Sequence, residues 1–232
     1  MTKKMNILNL ILTILVLILD VFYIIFNNAF CSLAIKSSAS ILFVLIGLIN
    51  LIFSVKQNKK NIQFSSLLFA GLFFAMLGDI LLEIMFTVGA ILFAIGHVLY
   101  FISYCNITKF KWKDLLYGLA IFVFSFSVIV FVPVFNFGGV LMEIVCIAYA
   151  LIISLMVGKA ISNYVQTKTK LSLVILVGSC LFYFSDFMLV FNVFADISEI
   201  FGVLCLSTYY PAEILLAYSI LFCSNVLNVD KT

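Results

Sequence analysis

The chain has 232 residues, of which 66% are hydrophobic and 10% charged, with a formal net charge of +3 and a mean hydropathy of +1.31. A soluble globular domain carries about 45–50% apolar and about 25% charged residues, so this composition excludes one and points to a polytopic membrane protein. All 13 basic residues are lysine and none sits in a basic cluster interleaved with aromatics, which leaves no nucleic-acid partner to expect.

Eight apolar segments can be drawn in chain order, at 5–26, 32–55, 62–84, 87–106, 114–132, 138–158, 171–192 and 200–224. Each is close to the roughly 20 residues that an α-helix needs to cross the hydrocarbon core, so the expectation is an all-α integral membrane bundle of eight transmembrane helices in a single domain over 1–232. The first segment follows Lys3 and Lys4 as a signal peptide would. Its apolar run over 7–26 exceeds the usual 7–15 residues, and no small-x-small cleavage site follows, so it reads as a retained span.

The connectors alternate in character. Lys3/Lys4, Lys56/Lys59/Lys60, Lys109/Lys111/Lys113, Lys159/Lys168/Lys170 and Lys231 mark every second helix end, while the connectors around 27–32, 83–89, 133–139 and 192–199 carry no lysine. The positive-inside rule then places both termini in the cytoplasm of a cell-membrane protein, with Lys36 alone outside the pattern. The acids run the other way: Asp20, Asp79, Glu83, Glu143, Asp186, Asp196 and Glu199 fall in the outer halves of spans or in outer loops, and Glu213 lies deeper in the last span. The six cysteines are scattered without C-x-x-C spacing or a neighbouring histidine, so they read as packing residues rather than a metal site or a disulfide framework.

The stretch 71–104 carries the most chemistry. It holds Gly78-Asp79 in the third span and the only histidine, His97, with Tyr100 one turn further on in the fourth. An ionisable group inside a span costs about 2.5–3.5 kcal/mol on insertion scales, so each is a functional candidate. Asp79 and Glu83 share a helical face at i, i+4. Gly71-x7-Asp79 recurs as Gly178-x7-Asp186, offset by 107 residues, and the same offset carries Lys36 onto Glu143. This is a weak parallel repeat of two four-helix halves, which puts Asp79 and Asp186 at similar depth. Lys36, the one non-cytoplasmic cation, is a candidate grip for a substrate phosphate, with Asp20 or Glu143 as its partner if its role is structural. Glu213 follows Pro211, where a kinked helix is expected.

Carboxylic acids, a histidine, tyrosines and a lysine in one bundle suit acid/base cleavage of a lipid bond or carriage of a cation or proton. Nucleophilic hydrolysis has no G-x-S-x-G elbow to support it. A lipid-binding scaffold without catalysis is the third alternative.

Lys36, the run G-L-F-F-x-x-x-G-D-x-L-L at 71–82, F-x-x-G-H-x-x-Y at 93–100, F-x-x-S-D at 182–186 and T-Y-Y-x-A at 208–212 together resemble the YhhN-like membrane proteins, the lysoplasmalogenase family. The resemblance covers nearly the whole chain. It implies hydrolysis of the vinyl-ether bond of lysoplasmalogens, lysophospholipids of the bilayer, to a fatty aldehyde and a glycerophospho-ethanolamine or -choline. It assigns the paired catalytic aspartates to Asp79 and Asp186, and substrate contacts to Lys36, His97, Tyr100 and Tyr209 or Tyr210. Glu83, Glu143 and Glu213 are added as polar neighbours; Glu213 stands where many members have Gln, and Ser37 where Pro is usual. No metal or other cofactor is required. A vinyl ether is cleaved by protonation at its β-carbon and capture of the oxocarbenium ion by water, which asks for one protonated and one ionised carboxyl. Asp79, beside Gly78 and Glu83, is the expected proton donor.

Overall fold

The computed structural model describes residues 3–26, 32–57, 62–195 and 197–226, and every regular element among them is helical. The eight helices are α1 (Lys3–Phe26), α2 (Ser32–Gln57), α3 (Ile62–Leu82), α4 (Phe86–Tyr104), α5 (Trp112–Phe131), α6 (Val140–Thr167), α7 (Lys170–Phe194) and α8 (Ile200–Val226). All eight are long and apolar enough to cross a membrane. Cys31, Lys59, Lys60, Asp196, Asp230 and Lys231 lie outside the described residues.

The expected bounds hold to within a few residues except in α6, which runs nine residues beyond the expected end at 158. Gly158-Lys159 looks like a helix stop in sequence, but Lys159 is fully buried and meets Asp114 at 2.7 Å. With its charge matched inside the bundle, the helix continues through Ser162 and Asn163 and ends at Lys168, whose left-handed backbone (φ 49°) closes the turn. Thr169 and Ser172 then cap α7 reciprocally, with Ser172 N–H donating to Thr169 Oγ1 at 3.2 Å and Thr169 N–H to Ser172 Oγ at 3.1 Å. Pro211 sits inside α8, which is continuous as a helix around it.

Six helices close a ring in the order α2, α3, α4, α6, α7, α8 and back to α2, with α1 packed outside on α2 and α8, and α5 outside on α6. Shifting every helix by four maps the ring onto itself, and α1–α2 onto α5–α6: α2–α3 goes onto α6–α7, α3–α4 onto α7–α8, and α2–α8 onto α6–α4. The parallel repeat expected from Gly71/Asp79 and Gly178/Asp186 therefore has a counterpart in the packing. In each half the glycine is where the partner helix comes close. A Cβ on Gly71 would enter the Tyr100 ring of α4, and one on Gly178 would lie 3.1 Å from Leu216 of α8.

Inside the ring, Phe43, Ile46, Leu68, Leu72, Met156, Ile175 and Leu216 are completely buried and form the core toward the lysine-rich helix ends. At roughly 25 cal/mol per Å² of apolar surface removed from contact, such side chains each contribute about 1.5–3 kcal/mol in water. In a bilayer that drive is absent and close packing replaces it. Gly158 shows the scale: a Cβ there would lie 2.5 Å from the Gly118 Cα of α5, so the two backbones touch directly.

Candidate active site

At the end of the ring opposite this core, a cavity of about 600 Å³ opens between α1, α2, α3, α7 and α8. Lys36, Asp79, Glu83, Asp186, Glu199 and Tyr209 are among the residues that line it. The two aspartates related by the repeat thus face one space, as their matched depth predicts.

Gly78 lets α3 pack closely on α4, where a Cβ would lie 2.8 Å from the Phe93 ring, and Asp79 beside it turns toward α2 and α8. Its carboxylate meets Lys36 Nζ at 3.1 Å, accepts from Tyr210 Oη at 3.1 Å, and accepts a short hydrogen bond from Ser40. Ser40 lies one turn after Lys36 on α2, so one helical face delivers both the cation and the hydroxyl. Lys36 is only 5% exposed and also meets Glu83 Oε1 at 2.9 Å, where Tyr23 Oη donates at 2.9 Å as well. Burial opposes the charge on Glu83, but the charge of Lys36 and the hydrogen bonds from Lys36 and Tyr23 outweigh it, so this carboxyl lies below the usual glutamate value of 4.5. The structural partners of Lys36 are therefore Asp79 and Glu83, not Asp20 or Glu143.

Asp186 is arranged differently. Its Oδ2 accepts a short hydrogen bond from Tyr149 Oη and lies 3.2 Å from His97 Nε2, which is itself 2.8 Å from Tyr149 Oη. Since the tyrosine gives its hydrogen to Asp186, Nε2 carries a hydrogen of its own, and the buried Nδ1 has no partner among the described residues. Asp186 Oδ1 takes no hydrogen bond from any described residue, although Asp186 lines the cavity. Two carboxylates on one cavity thus have opposite surroundings: Asp79 is held by a cation and two hydroxyls, and Asp186 keeps one oxygen free.

Behind them lie the remaining candidates. Tyr100 donates to Glu213 Oε2 at 2.8 Å, and both are completely buried. Glu213 Oε1 and Tyr209 Oη are buried without a hydrogen-bond partner among the described residues. Phe182 separates the two halves of the site, with edge-to-face contacts to His97 at 4.7 Å and Tyr209 at 5.4 Å between ring centres.

A second concavity, a narrow apolar cleft of about 60 Å³, lies between α4, α5, α6 and α7. It shares Leu82, Phe86, Phe93, Asp186 and Leu189 with the polar cavity. Asp186 therefore stands where a polar chamber meets an apolar one. On its outer side the polar cavity shares Asn192, Val193 and Glu199 with an open polar groove of about 650 Å³ under the 132–136 connector. That connector is tied down by Asn136 N–H donating to Phe194 O at 2.7 Å.

Of the residues expected at the site, Asp79, Asp186, Lys36, Glu83 and Tyr209 line the cavity, Tyr210 and His97 hold the two aspartates, and Tyr100 reaches the site through Glu213. Glu143 does not join them. It sits half-buried in the first turn of α6, away from the cavity lining, because the repeat offset matches its depth and not its facing. Three contributors were missed. Ser40 and Tyr23 had a readable signal, one turn from Lys36 and close to Asp20 respectively; Tyr149, in an apolar run of α6, had none. Among the described residues no cluster of three His, Cys, Asp or Glu is placed to hold a metal ion.

No curated protein and no solved structure matches this sequence. A family model does, over residues 31–220, which takes in Lys36, both aspartates, His97 and the tyrosines of α8; the chain belongs to the YhhN family.

Proposed function

We propose that the protein is a membrane-embedded hydrolase that cleaves the vinyl-ether bond of lysoplasmalogens, releasing a fatty aldehyde and a glycerophospho-base. The observation that carries this reading is the position of Asp186 at the join of a polar cavity and an apolar cleft. A single-chain lipid with its head group in the cavity and the start of its chain entering the cleft would set its ether linkage at that join.

In this mechanism Asp186 is the acid and Asp79 the anion, the reverse of the assignment expected from sequence. Asp186 Oδ1 gives its proton to the β-carbon of the vinyl ether, and the oxygen lone pair forms the oxocarbenium ion. Asp79 and Glu83, whose combined charge exceeds that of Lys36, favour that cation electrostatically. Water from the open mouth adds to the cationic carbon and returns a proton to Asp186. The hemiacetal then breaks its C–O bond to give aldehyde and alcohol. His97 orients the acid through Oδ2. Positioned acid catalysis of this kind is worth about 10²–10⁴-fold.

The acid-rich cavity and Glu213, whose Oε1 has no hydrogen-bond partner among the described residues, also suit a proton or cation carrier. Against that stands the core of fully buried Ile46, Leu68, Leu72 and Leu216 toward the lysine-rich ends. The deciding experiment is purified protein with lysoplasmenyl-ethanolamine, read as aldehyde release, beside the saturated alkyl-ether analogue. Hydrolysis of the vinyl ether alone is expected. Silence on both substrates, with proton or cation flux in proteoliposomes, would establish the carrier instead. In a cell membrane the lysine distribution puts both termini in the cytoplasm and the cavity mouth on the opposite face. Reporter fusions after Lys113 and Lys170 should behave as cytoplasmic.

A further inference from the structure

A fourth concavity lies on the outside of the ring, in the seam between α4 and α6. It holds about 410 Å³ and is apolar throughout, with Ala90, Ala94 and Val98 of α4 facing Val145, Ala148 and Tyr149 of α6. Its α4 wall is open outward: Ile91 is 52% and Val98 41% exposed. In a membrane protein that surface meets lipid tails.

Two independent features connect this groove to the candidate active site. The first is continuity. Ala90, Val145 and Tyr149 line both the groove and the apolar cleft, and the cleft shares Asp186 with the polar cavity. Tyr149 stands between bilayer and acid, with its ring on the groove and its hydroxyl bonded to Asp186 and 2.8 Å from His97. The second is a break in the internal symmetry. The counterpart of the α4–α6 seam is the α8–α2 seam, and there α1 packs on both helices and covers the joint. The counterpart of α1 is α5, whose main packing is on α6, and the groove remains open along α4.

We infer that the α4–α6 groove is a lateral portal and chain-binding site, through which the aliphatic tail of a single-chain lipid passes from the bilayer into the cleft. Tyr149 is the partition that must move. Swinging it aside breaks its hydrogen bond to Asp186, so arrival of the tail and release of the acid are one event. The tail then occupies groove and cleft while the polar end reaches the cavity. The identity of the lipid, though not the existence of the portal, rests on the hydrolase reading above.

The test uses the unmodified protein in phosphatidylcholine vesicles and a saturated alkyl-ether lysophosphoethanolamine with a photoactivatable diazirine in mid-chain. It cannot be cleaved as a vinyl ether. Labelling is expected to concentrate in the peptides of α4 and α6. Ala94→Phe and Ala148→Phe, which fill the groove, should cut that labelling and raise KM for long-chain lysoplasmalogen at least 10-fold. They should leave hydrolysis of a short-chain, water-soluble vinyl ether unchanged. Ile41→Phe, on the lipid-facing side of α2, should change neither. Labels spread evenly over the lipid-facing helices, or gathered on α1 and α8, would overturn the portal, as would groove-filling variants that label and turn over like the unmodified chain. If a variant does not fold, the labelling pattern of the unmodified chain decides. Labelling at α4 and α6 without aldehyde from any substrate would sink the hydrolase reading and leave the portal standing.

Discussion

Two lysine–aspartate pairs are buried among the described residues, and their surroundings differ. Lys159 and Asp114, 2.7 Å apart near the lysine-rich helix ends, are both essentially inaccessible. The ammonium also donates to Thr108 Oγ1 at 3.1 Å and to Lys109 O at 3.3 Å. The carboxylate also accepts from Ser162 and from Lys111 N–H, the latter at 2.9 Å. One charge meets one countercharge, and neither lines any of the cavities described above. Lys36 and Asp79 face an open cavity, with a second carboxylate on the same lysine and a third, Asp186, across the space. The first pair is balanced and sealed; the second is unbalanced and open, as the proposed function requires.

The comparison is broken most severely at the open end. Asp186→Asn and Asp79→Asn should each lower kcat for lysoplasmalogen by about 10²–10⁴-fold, with insertion and lysolipid binding retained. The double variant should be little worse than the worse single one, because members of a catalytic unit do not add. Two well-folded Asn variants with near-full aldehyde release would return both residues to structural duty.

At the sealed end the loss is of stability. Lys159→Met alone strands Asp114 and should cost about 3–5 kcal/mol, read as earlier unfolding in detergent. Lys159→Met with Asp114→Leu should recover most of that, since an apolar replacement of a whole buried pair is often neutral or better. The matching double replacement, Lys36→Met with Asp79→Leu, should leave a folded and inactive protein. Recovery of activity there would erase the distinction between the two pairs.

The smallest effect concerns Glu83, which is 38% exposed at the cavity rim. Its carboxyl is depressed below 4.5 in the folded protein, so its bridge to Lys36 contributes fully above that value. The contribution fades as pH falls through the lower, folded value. Unfolding measured between pH 7 and 3 should show the unmodified protein slightly ahead of Glu83→Gln at neutral pH, with the two converging in acid. The gap should stay within the modest range of partly exposed ion pairs. A difference that grew on acidification would contradict the Lys36–Glu83 bridge.

Much of the fold could be read in advance because a bilayer allows so few solutions: each apolar run had to be a helix, and lysines marked alternate ends. The error at α6 arose where that logic meets chemistry. A lysine after glycine signals an end only if water receives the charge, and here Asp114, 45 positions earlier in the chain, receives it instead. In the site, depth was legible and facing was not. The repeat brought Asp79 and Asp186 to one cavity correctly, yet carried Lys36 onto Glu143, which faces elsewhere. The proposed mechanism exchanges donor and anion because Gly78 and Glu83 are visible in sequence near Asp79, whereas Lys36, Ser40 and Tyr210 reach it only through folding. Tyr149 could not be found at all, since its role depends on a helix pairing that no local pattern encodes.

The cavity opens at one end and is backed by solid packing at the other, and this has an electrical consequence. Moving an elementary charge across a membrane at 100 mV is worth about 2.3 kcal/mol, which any carrier working through both faces must gain or spend. In the proposed hydrolysis Asp186 gives up its proton and regains one in the same cavity, so no net charge traverses the field. Turnover in sealed vesicles should therefore be indifferent to an imposed diffusion potential of either sign.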